Sequence, residues 1–170
     1  MCGVPVHASD NYLEKLIRAG EKVAICEQLE TPEEAKKRGG YKEIVRREVI
    51  RVVTPGTLTE ETLLEGSRPN YLISIAAAGQ DFAISWVDIS TGEFLTAQIT
   101  ENMLGSELAR IQPSEILLPN SMLARENLFE VFGEWKKKLS PQPDNLFEEK
   151  RSENKLKNFY KVIALDAFGA

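Results

Sequence analysis

The first apolar pattern along the chain is that of an amphipathic helix over 11–19. Its apolar positions recur at helical spacing, at Tyr12, Leu13, Leu16 and Ile17. We expect Ser9 or Asp10 to accept hydrogen bonds from the free N–H groups at the start of this helix. Gly20 is expected to close the helix in the left-handed conformation.

The next apolar pattern, over 21–29, alternates as it does in a β-strand. One face carries Val23 and Ile25, and the other carries Ala24 and Cys26. Because both faces are apolar, we expect a central strand in which Cys26 is a small buried group. A thiol nucleophile made of Cys26 and His7 is the less favoured alternative, because exposed thiols of low pKa are rare.

Local signals define the rest of this first half. The stretch 31–34 reads Thr-Pro-Glu-Glu, which is a capping box with proline at the first helical position. Two glycines at 39–40 end this helix early. A second strand is predicted over 44–53, and the Pro-Gly pair at 55–56 ends it.

Turn-forming residues dominate 58–69, which ends in Gly-Ser-Arg-Pro. We therefore predict a first domain over 1–57, a linker over 58–69 and a second domain over 70–170. The distribution of aromatic residues supports this division, because all seven phenylalanines and both tryptophans lie at or after Phe82.

The second domain begins with three strand-length runs separated by short turn signals, which predicts an antiparallel meander. The predicted elements are strands over 71–78, 82–89 and 93–99, a helix over 102–112, a strand over 115–118, a helix over 122–132, a loop over 136–144 and a helix over 145–158. This order predicts an α/β domain with a mixed sheet.

The composition is that of a folded chain, with 170 residues of which 42% are hydrophobic and 28% charged. Its apolar runs are far shorter than the roughly 18 residues that span a bilayer, and its start lacks the features of a secretory signal. Cys2, Cys26 and His7 cannot form a zinc site on their own. Two lone cysteines favour a reducing compartment, so we expect a cytoplasmic protein that does not contact membranes.

Charge is distributed unevenly along the chain. The whole chain has a net charge of −5, but the basic segment, residues 36–51, carries seven basic residues against two acidic ones. Such clustering attracts phosphates. Arg46 and Arg47 are adjacent and point to opposite faces of a strand, whereas Arg47 and Arg51 share a face in regular geometry. Spacing alone favours another interpretation, a solvated edge strand whose charges prevent association between sheets.

Asp88 is the main candidate for catalytic chemistry. It ends an apolar strand just before a Ser-Thr-Gly turn, and two-metal chemistry would need further carboxylates such as Glu107 and Asp166. The favoured alternative is a turn aspartate that accepts hydrogen bonds from the N–H groups of Thr91 or Gly92. Gly-rich phosphate loops and the G-x-S-x-G elbow are both missing from the sequence. We therefore predict neither a catalytic nor a metal-binding residue.

Four blocks of sequence stand out by their order and spacing. They read MCGVPVHA at 1–8, KVAICEQ at 22–28, VIRVVTPGT at 49–57 and WVDISTGEF at 86–94. Together they resemble the MutS family of bacterial DNA mismatch-repair proteins. The first three match the latter part of the N-terminal mismatch-recognition domain, and the last matches the second strand and turn of the connector domain. The resemblance covers nearly the entire chain.

This resemblance implies a partial mixed-sheet α/β mismatch-recognition domain followed by a ribonuclease H-like α/β connector domain without nuclease activity. It also implies that the longer protein is a dimeric clamp on mismatched double-stranded DNA. The connector would help to recruit a MutL-type protein and would contact the remaining MutS domains. ATP and Mg²⁺ would be bound far downstream, so we expect this chain to have no cofactor and no enzymatic activity.

The resemblance and the basic segment together yield six candidate DNA contacts, Met1, Gly3, Pro5, Arg46, Arg47 and Arg51. The chain also departs from the family. MutS proteins wedge a phenylalanine beside the mispaired base, but residues 1–68 contain no phenylalanine. We therefore expect a segment of a longer protein that lacks the wedge. Val6 replaces a more usual tyrosine, which removes an aromatic contact there.

Three functions stay open on the sequence alone. The leading one is weak, salt-sensitive contact with DNA without mismatch preference, together with docking to partner domains. The second is a ribonuclease H-like, metal-dependent nuclease centred on Asp88. The third is a purely protein-docking module, for which exposed leucine or phenylalanine side chains over 122–132 would be a structural indication.

Overall fold

The computed structural model describes residues 3–58 and 69–166. The chain divides into two compact units, here called the N-terminal unit (Met1–Arg68) and the C-terminal unit (Pro69–Ala170). Each has its own cluster of buried apolar side chains. Most of the predicted linker, 59–68, lies outside the described residues.

The described part of the N-terminal unit alternates helices and strands. Its elements are α1 (Ser9–Arg18), β1 (Val23–Gln28), α2 (Pro32–Gly39) and β2 (Arg47–Val53). The two strands pair antiparallel in a two-stranded sheet. Leu13 and Ile17 on one face of α1 pack with Val53 and Leu58, as the helical spacing predicts, and these four side chains are buried.

The ends of α1 agree only in part with the sequence signals. The prediction that Ser9 or Asp10 caps the helix is wrong, because the N-cap is Ala8 and has no side-chain cap. The Ser9 hydroxyl instead donates to the carbonyl oxygen of Val6 at 2.7 Å. At the other end Gly20 has a φ of +84°, which confirms the predicted left-handed closure.

The capping box of α2 is confirmed. The Thr31 hydroxyl accepts a hydrogen bond from the Glu34 N–H at 3.2 Å, and the Thr31 N–H donates to Glu34 Oε2 at 2.7 Å. Pro32 occupies the first helical position. The helix ends at Gly39, and Gly40 follows with a φ of +88°. Local chemistry is therefore sufficient to set both ends of this helix.

The prediction that β1 is a central strand is wrong. Among the described residues its sheet partner is β2, and beyond Ile25 its side chains are exposed. Cys26 is an exposed free thiol, not a buried apolar group. The sequence was misleading because Ala24 and Cys26 alternate with larger apolar residues in the same way whether or not the second face is covered.

A β-bulge changes the faces of β2. Arg51 pairs with Ile25 and Arg47 pairs with Gln28, but the register shifts between them because Ile50 is an extra residue. Since Ile25 and Gln28 point to opposite faces of β1, Arg47 and Arg51 point to opposite faces of β2. The expectation of a shared face, made for regular geometry, is therefore wrong.

The C-terminal unit is a mixed five-stranded sheet with helices. Its elements are β3 (Tyr71–Ala78), β4 (Asp81–Asp88), β5 (Glu93–Ile99), α3 (Leu104–Ile111), β6 (Glu115–Pro119), α4 (Phe129–Trp135), β7 (Leu139–Gln142) and α5 (Glu149–Tyr160). The strand order is β5-β4-β3-β6-β7. The first three strands are antiparallel, while β6 and β7 run parallel to β3. This arrangement confirms the predicted meander and the mixed-sheet α/β fold.

One face of this sheet forms the larger core. Along β4 the buried side chains Phe82, Ile84 and Trp86 alternate with more exposed ones, as the period of a strand requires. They pack against α3, whose Leu104 and Leu108 are fully buried. The apolar faces of β4 and α3 therefore meet in one hydrophobic core.

Two predictions in the second half need correction. In place of a helix over 122–132, the chain forms two 3₁₀ turns, Asn120–Ala124 and Glu126–Leu128, and then α4. The predicted loop over 136–144 contains β7, which includes Pro141. Proline lacks the N–H of a sheet ladder, but β7 lies at the edge of the sheet, where proline is tolerated.

Candidate nucleic-acid interface

Glu30, just after β1, is the centre of a network that holds the loop over 40–46. Its Oε1 atom accepts hydrogen bonds from the backbone N–H of Arg46 and from Nη2 of Arg38, both at 2.8 Å. Arg38, near the end of α2, also donates to Glu43 Oε2 at 2.7 Å and to the carbonyl oxygen of Ile44 at 3.2 Å. The network therefore joins β1, α2 and the loop that leads to β2.

The electrostatics of this network favour the ionised pair. Hydrogen bonds from the Arg38 side chain and from the Arg46 backbone hold the pKa of Glu30 below its ordinary value of 4.5. The Glu30 carboxylate in turn raises the pKa of Arg38. Both groups therefore carry full charge at neutral pH.

Two of the candidate arginines lie side by side where this loop joins β2. Arg46 and Arg47 are exposed, and Nη1 of Arg47 donates to the carbonyl oxygen of Val45 at 3.1 Å. Arg51 is half-buried and points to the other face of β2. The structure thus leaves Arg46 and Arg47 exposed at the start of β2 and separates Arg51 from Arg47.

The other candidates lie in the first residues of the chain. Met1 is outside the described residues. Gly3 and Pro5 are exposed and precede a 3₁₀ turn, Val6–Ala8, that leads into α1. They therefore belong to a different element from the arginines of β2.

Tyr41 and Glu30 are two residues of this region that the sequence analysis did not identify as functional candidates. Tyr41 is 89% exposed, and Nζ of Lys36 lies 3.6 Å from the centroid of its ring. An aromatic residue inside a basic run is a recognisable signal for nucleic-acid contact, because bases stack on such rings. Glu30 offers no comparable signal, since its backbone partner Arg46 lies 16 residues away.

Asp88 closes a turn in the C-terminal unit. Its Oδ1 atom accepts from the N–H of Ser90 at 2.9 Å and from the Ser90 hydroxyl at 2.6 Å, and its Oδ2 atom accepts from the N–H of Asn70 at 3.1 Å. Burial raises the pKa of Asp88, but these hydrogen bonds outweigh it and leave the pKa below its ordinary value of 3.8. The aspartate therefore acts as a structural acceptor for Ser90, Asn70 and, as the sequence predicted, Thr91, whereas the Gly92 N–H donates to the backbone carbonyl oxygen of Asp88 at 2.8 Å.

The other two carboxylates of the nuclease hypothesis do not join Asp88. Glu107 pairs with Arg110 on its own helix at 2.7 Å. Within 3–58 and 69–166, no group of three or more His, Cys, Asp or Glu side chains is arranged to hold a metal ion. The described residues therefore do not support a metal-dependent nuclease.

The region between β6 and β7 presents apolar side chains to solvent. Leu123 is 36% exposed and Phe129, at the start of α4, is 56% exposed. By contrast, Leu128 and Phe132 are buried in the core. Exposed side chains of this kind over 122–132 are the indication expected of a docking surface.

These features define the class of the protein. It is a two-domain α/β protein with a basic surface segment in one domain and a mixed sheet in the other. In the part of the chain that the structure describes, no helix is long and apolar enough to cross a membrane.

Comparison with known proteins identifies the family. Residues 1–62 match the family model of MutS domain I, and residues 70–170 match that of MutS domain II. The chain is 42% identical over 170 residues to the DNA mismatch repair protein MutS of Orientia tsutsugamushi (strain Ikeda). It is 47% identical over 174 aligned residues to the MutS protein of Rhizobium meliloti (strain 1021). Both alignments cover 100% of this chain.

The chain therefore belongs to the MutS family of DNA mismatch-repair proteins. It spans 19% of the length of these two relatives. Its residues correspond to domains I and II, and neither of these is the ATPase domain of the family.

Proposed function

We propose that this chain supplies part of the DNA-contacting surface of a mismatch-repair protein, together with a domain that docks partners. The whole protein would bind mispaired bases in double-stranded DNA as a homodimer and recruit a MutL-type protein. ATP and Mg²⁺ would be bound outside these residues. Cytoplasmic placement is part of this proposal, and the exposed free thiol of Cys26 suits a reducing compartment.

The observation that carries the DNA-binding proposal is the exposed pair Arg46 and Arg47 within a basic segment of an otherwise acidic chain. Guanidinium groups on an exposed strand end can reach phosphate oxygens, and each such contact releases a condensed counterion. Contacts of this kind carry no sequence or mismatch information. The expected activity is weak binding that weakens steeply with salt.

The test is fluorescence anisotropy with paired and mismatched duplexes over a series of salt concentrations. The double variant Arg46→Ala/Arg47→Ala should reduce the slope of log K against log salt by about 2, since about one counterion is released per phosphate contact. Lys136→Ala/Lys137→Ala is the matched control, because it removes two adjacent exposed charges from the other unit. A clear preference for mismatched DNA, or equal losses in both double variants, would contradict the proposal.

A second function, docking of a MutL-type protein, is favoured by the exposure of Phe129 and Leu123. A large exposed apolar side chain such as Phe129 can anchor a protein partner by filling an apolar pocket on it. Binding of the chain to the MutL-type protein of the same organism should weaken about tenfold in Phe129→Ala, which corresponds to about 1.4 kcal/mol. Phe159→Ala, at a 76% exposed position of α5, is the control. Equal binding by both variants would remove the Phe129 surface from the proposal.

A further inference from the structure

The Glu30–Arg38 pair differs from an ordinary surface ion pair in how many groups it joins. The Arg38 guanidinium contacts the carboxylates of Glu30 and Glu43 and the carbonyl oxygen of Ile44. The Glu30 carboxylate additionally accepts the backbone N–H of Arg46. One arginine and one glutamate thus hold the loop before the DNA-contact candidates at several points.

The pair is also less exposed to solvent than the Arg18–Glu14 ion pair on α1. The side chains of Arg38 and Glu30 are 32% and 13% exposed, whereas those of the Arg18–Glu14 pair on α1 are 68% and 33% exposed. A shielded, multiply hydrogen-bonded pair restricts its neighbours more than a solvated one, which contributes little. The loop needs such a restraint, because Gly39 and Gly40 precede it and glycine leaves the backbone unusually free.

We infer that Glu30 and Arg38 are positioning residues that fix the backbone at Arg46, and thereby place the Arg46 side chain for contact with a DNA phosphate. The inference rests on the proposed DNA contact and adds residues that do not themselves need to touch DNA. The direct link is the hydrogen bond from the Arg46 N–H to Glu30, at 2.8 Å. Glu30 is acidic, so its charge by itself repels a polyanion. Its proposed positioning role, by contrast, strengthens DNA binding.

Because the two effects are opposite, the direction in which the DNA affinity changes when Glu30 is neutralised distinguishes them. Glu30→Gln removes a negative charge, so electrostatics alone predicts tighter binding to DNA. Positioning predicts weaker binding, by roughly threefold, and a salt slope reduced by up to about 1, because one phosphate contact loses its geometry. Glu33→Gln is the matched control, since Glu33 is an exposed carboxylate on the first turn of α2. The control should bind DNA as tightly as the unaltered chain or slightly more tightly.

A second variant leaves the net charge unchanged. Arg38→Lys keeps one positive charge but cannot bridge Glu30, Glu43 and the Ile44 carbonyl at once, because an ammonium group lacks the planar fork of a guanidinium. Arg18→Lys, in a pair with the single carboxylate of Glu14, is its control. We expect Arg38→Lys to bind DNA more weakly than the unaltered chain and Arg18→Lys to bind it equally well.

Hydrogen exchange at the Arg46 amide provides a readout without DNA. Exchange of this amide should accelerate at least severalfold in Glu30→Gln and Arg38→Lys, while the amides of β1 and β2 that pair within the sheet keep their rates.

Unchanged Arg46 exchange, or tighter DNA binding by Glu30→Gln, would overturn the inference. Absence of DNA binding by the unaltered chain would instead remove the proposed function and, with it, this role. Binding that persists at full strength in both variants would remove the positioning role alone.

Discussion

The two units differ most in how much apolar surface they bury. Among the described residues, the N-terminal unit has a cluster of four buried side chains, and the C-terminal unit has one of fourteen. Within 3–58 the sheet has two strands, and within 69–166 it has five. Since burial of apolar surface is the main stabilising contribution, the C-terminal unit is expected to be the more stable scaffold. The candidate DNA contacts lie on the unit with the smaller core, where we expect individual hydrogen bonds such as those of Glu30 to contribute more to holding the chain in place.

The largest expected contrast is in backbone protection. Amide exchange should be faster by orders of magnitude over 3–58 than over 71–99, because opening the smaller core exposes fewer apolar side chains. Hydrogen-exchange mass spectrometry resolves the two ranges in one experiment, and limited proteolysis is expected to cut first within 3–58. A first cleavage within β3, β4 or β5 would reverse the comparison.

Truncation of the larger core should produce the largest mutational effect. Phe82→Ala is expected to lower the free energy of unfolding of the C-terminal unit by about 3–5 kcal/mol, because Phe82 is fully buried on β4. Phe94→Ala makes the same truncation on β5 at a 59% exposed position and should cost less than about 0.5 kcal/mol. Urea denaturation measures both. Similar losses in the two variants would show that the sheet face is assigned wrongly.

Asp88→Asn should lower the free energy of unfolding of the C-terminal unit by an intermediate amount. An asparagine offers one acceptor where the carboxylate serves both Ser90 and Asn70, so one N–H group loses its partner. We expect a loss of about 1–3 kcal/mol, the usual penalty for a buried donor left unsatisfied. Ser90→Ala, which removes only the hydrogen bond from the Ser90 hydroxyl and keeps both N–H donors, should cost less. Stability unchanged in Asp88→Asn would contradict the structural role of Asp88.

Helix capping in the N-terminal unit should produce a smaller effect. Thr31→Ala is expected to cost about 1 kcal/mol, because the threonine hydroxyl accepts the Glu34 N–H of the capping box. Ser9→Ala should cost less, since Ser9 does not cap α1 and its hydroxyl donates to a carbonyl oxygen instead. Thermal unfolding followed by circular dichroism compares the two. A larger loss in Ser9→Ala would favour the capping role that the sequence suggested.

The smallest effect is expected from acid titration of Glu30. Its folded-state pKa lies below the ordinary 4.5, so its stabilising contribution is complete above pH 4.5 and is lost as pH falls through the lower folded value. The chemical shift of the Arg46 amide, observed by NMR, should report this transition. Glu30→Gln must abolish it, and an unaltered transition in that variant would assign it to another carboxylate.

Much of the fold follows from local sequence signals. The Thr31 capping box, the closure of α1 at Gly20 and the meander of β3, β4 and β5 involve residues close in sequence, so propensity and periodicity are sufficient. The strand β6 was also predicted, because its apolar run is bounded by two prolines, whereas its parallel pairing with β3 is a finding of the structure. The adjacent arginines of the candidate interface could also be recognised from the sequence, because they are neighbours in the chain.

Long-range pairing decided the rest. Nothing local indicates that 139–142 forms β7, since Pro141 argues against a strand and only the edge of the sheet beside β6 makes it acceptable. The exposure of Cys26 depends on which elements cover β1, and the separation of Arg47 from Arg51 depends on the extra residue in β2.

The sequence by itself determined the family, the two-part α/β organisation and the basic segment, because these follow from ordered motifs, periodicity and charge. Only the tertiary structure showed that an acidic residue, Glu30, accepts hydrogen bonds from the side chain of Arg38 and the backbone of Arg46. Its partners Arg38 and Arg46 lie 8 and 16 residues away. Hydrogen bonds at such separations depend on how strand, helix and loop meet in space, which no local sequence pattern encodes.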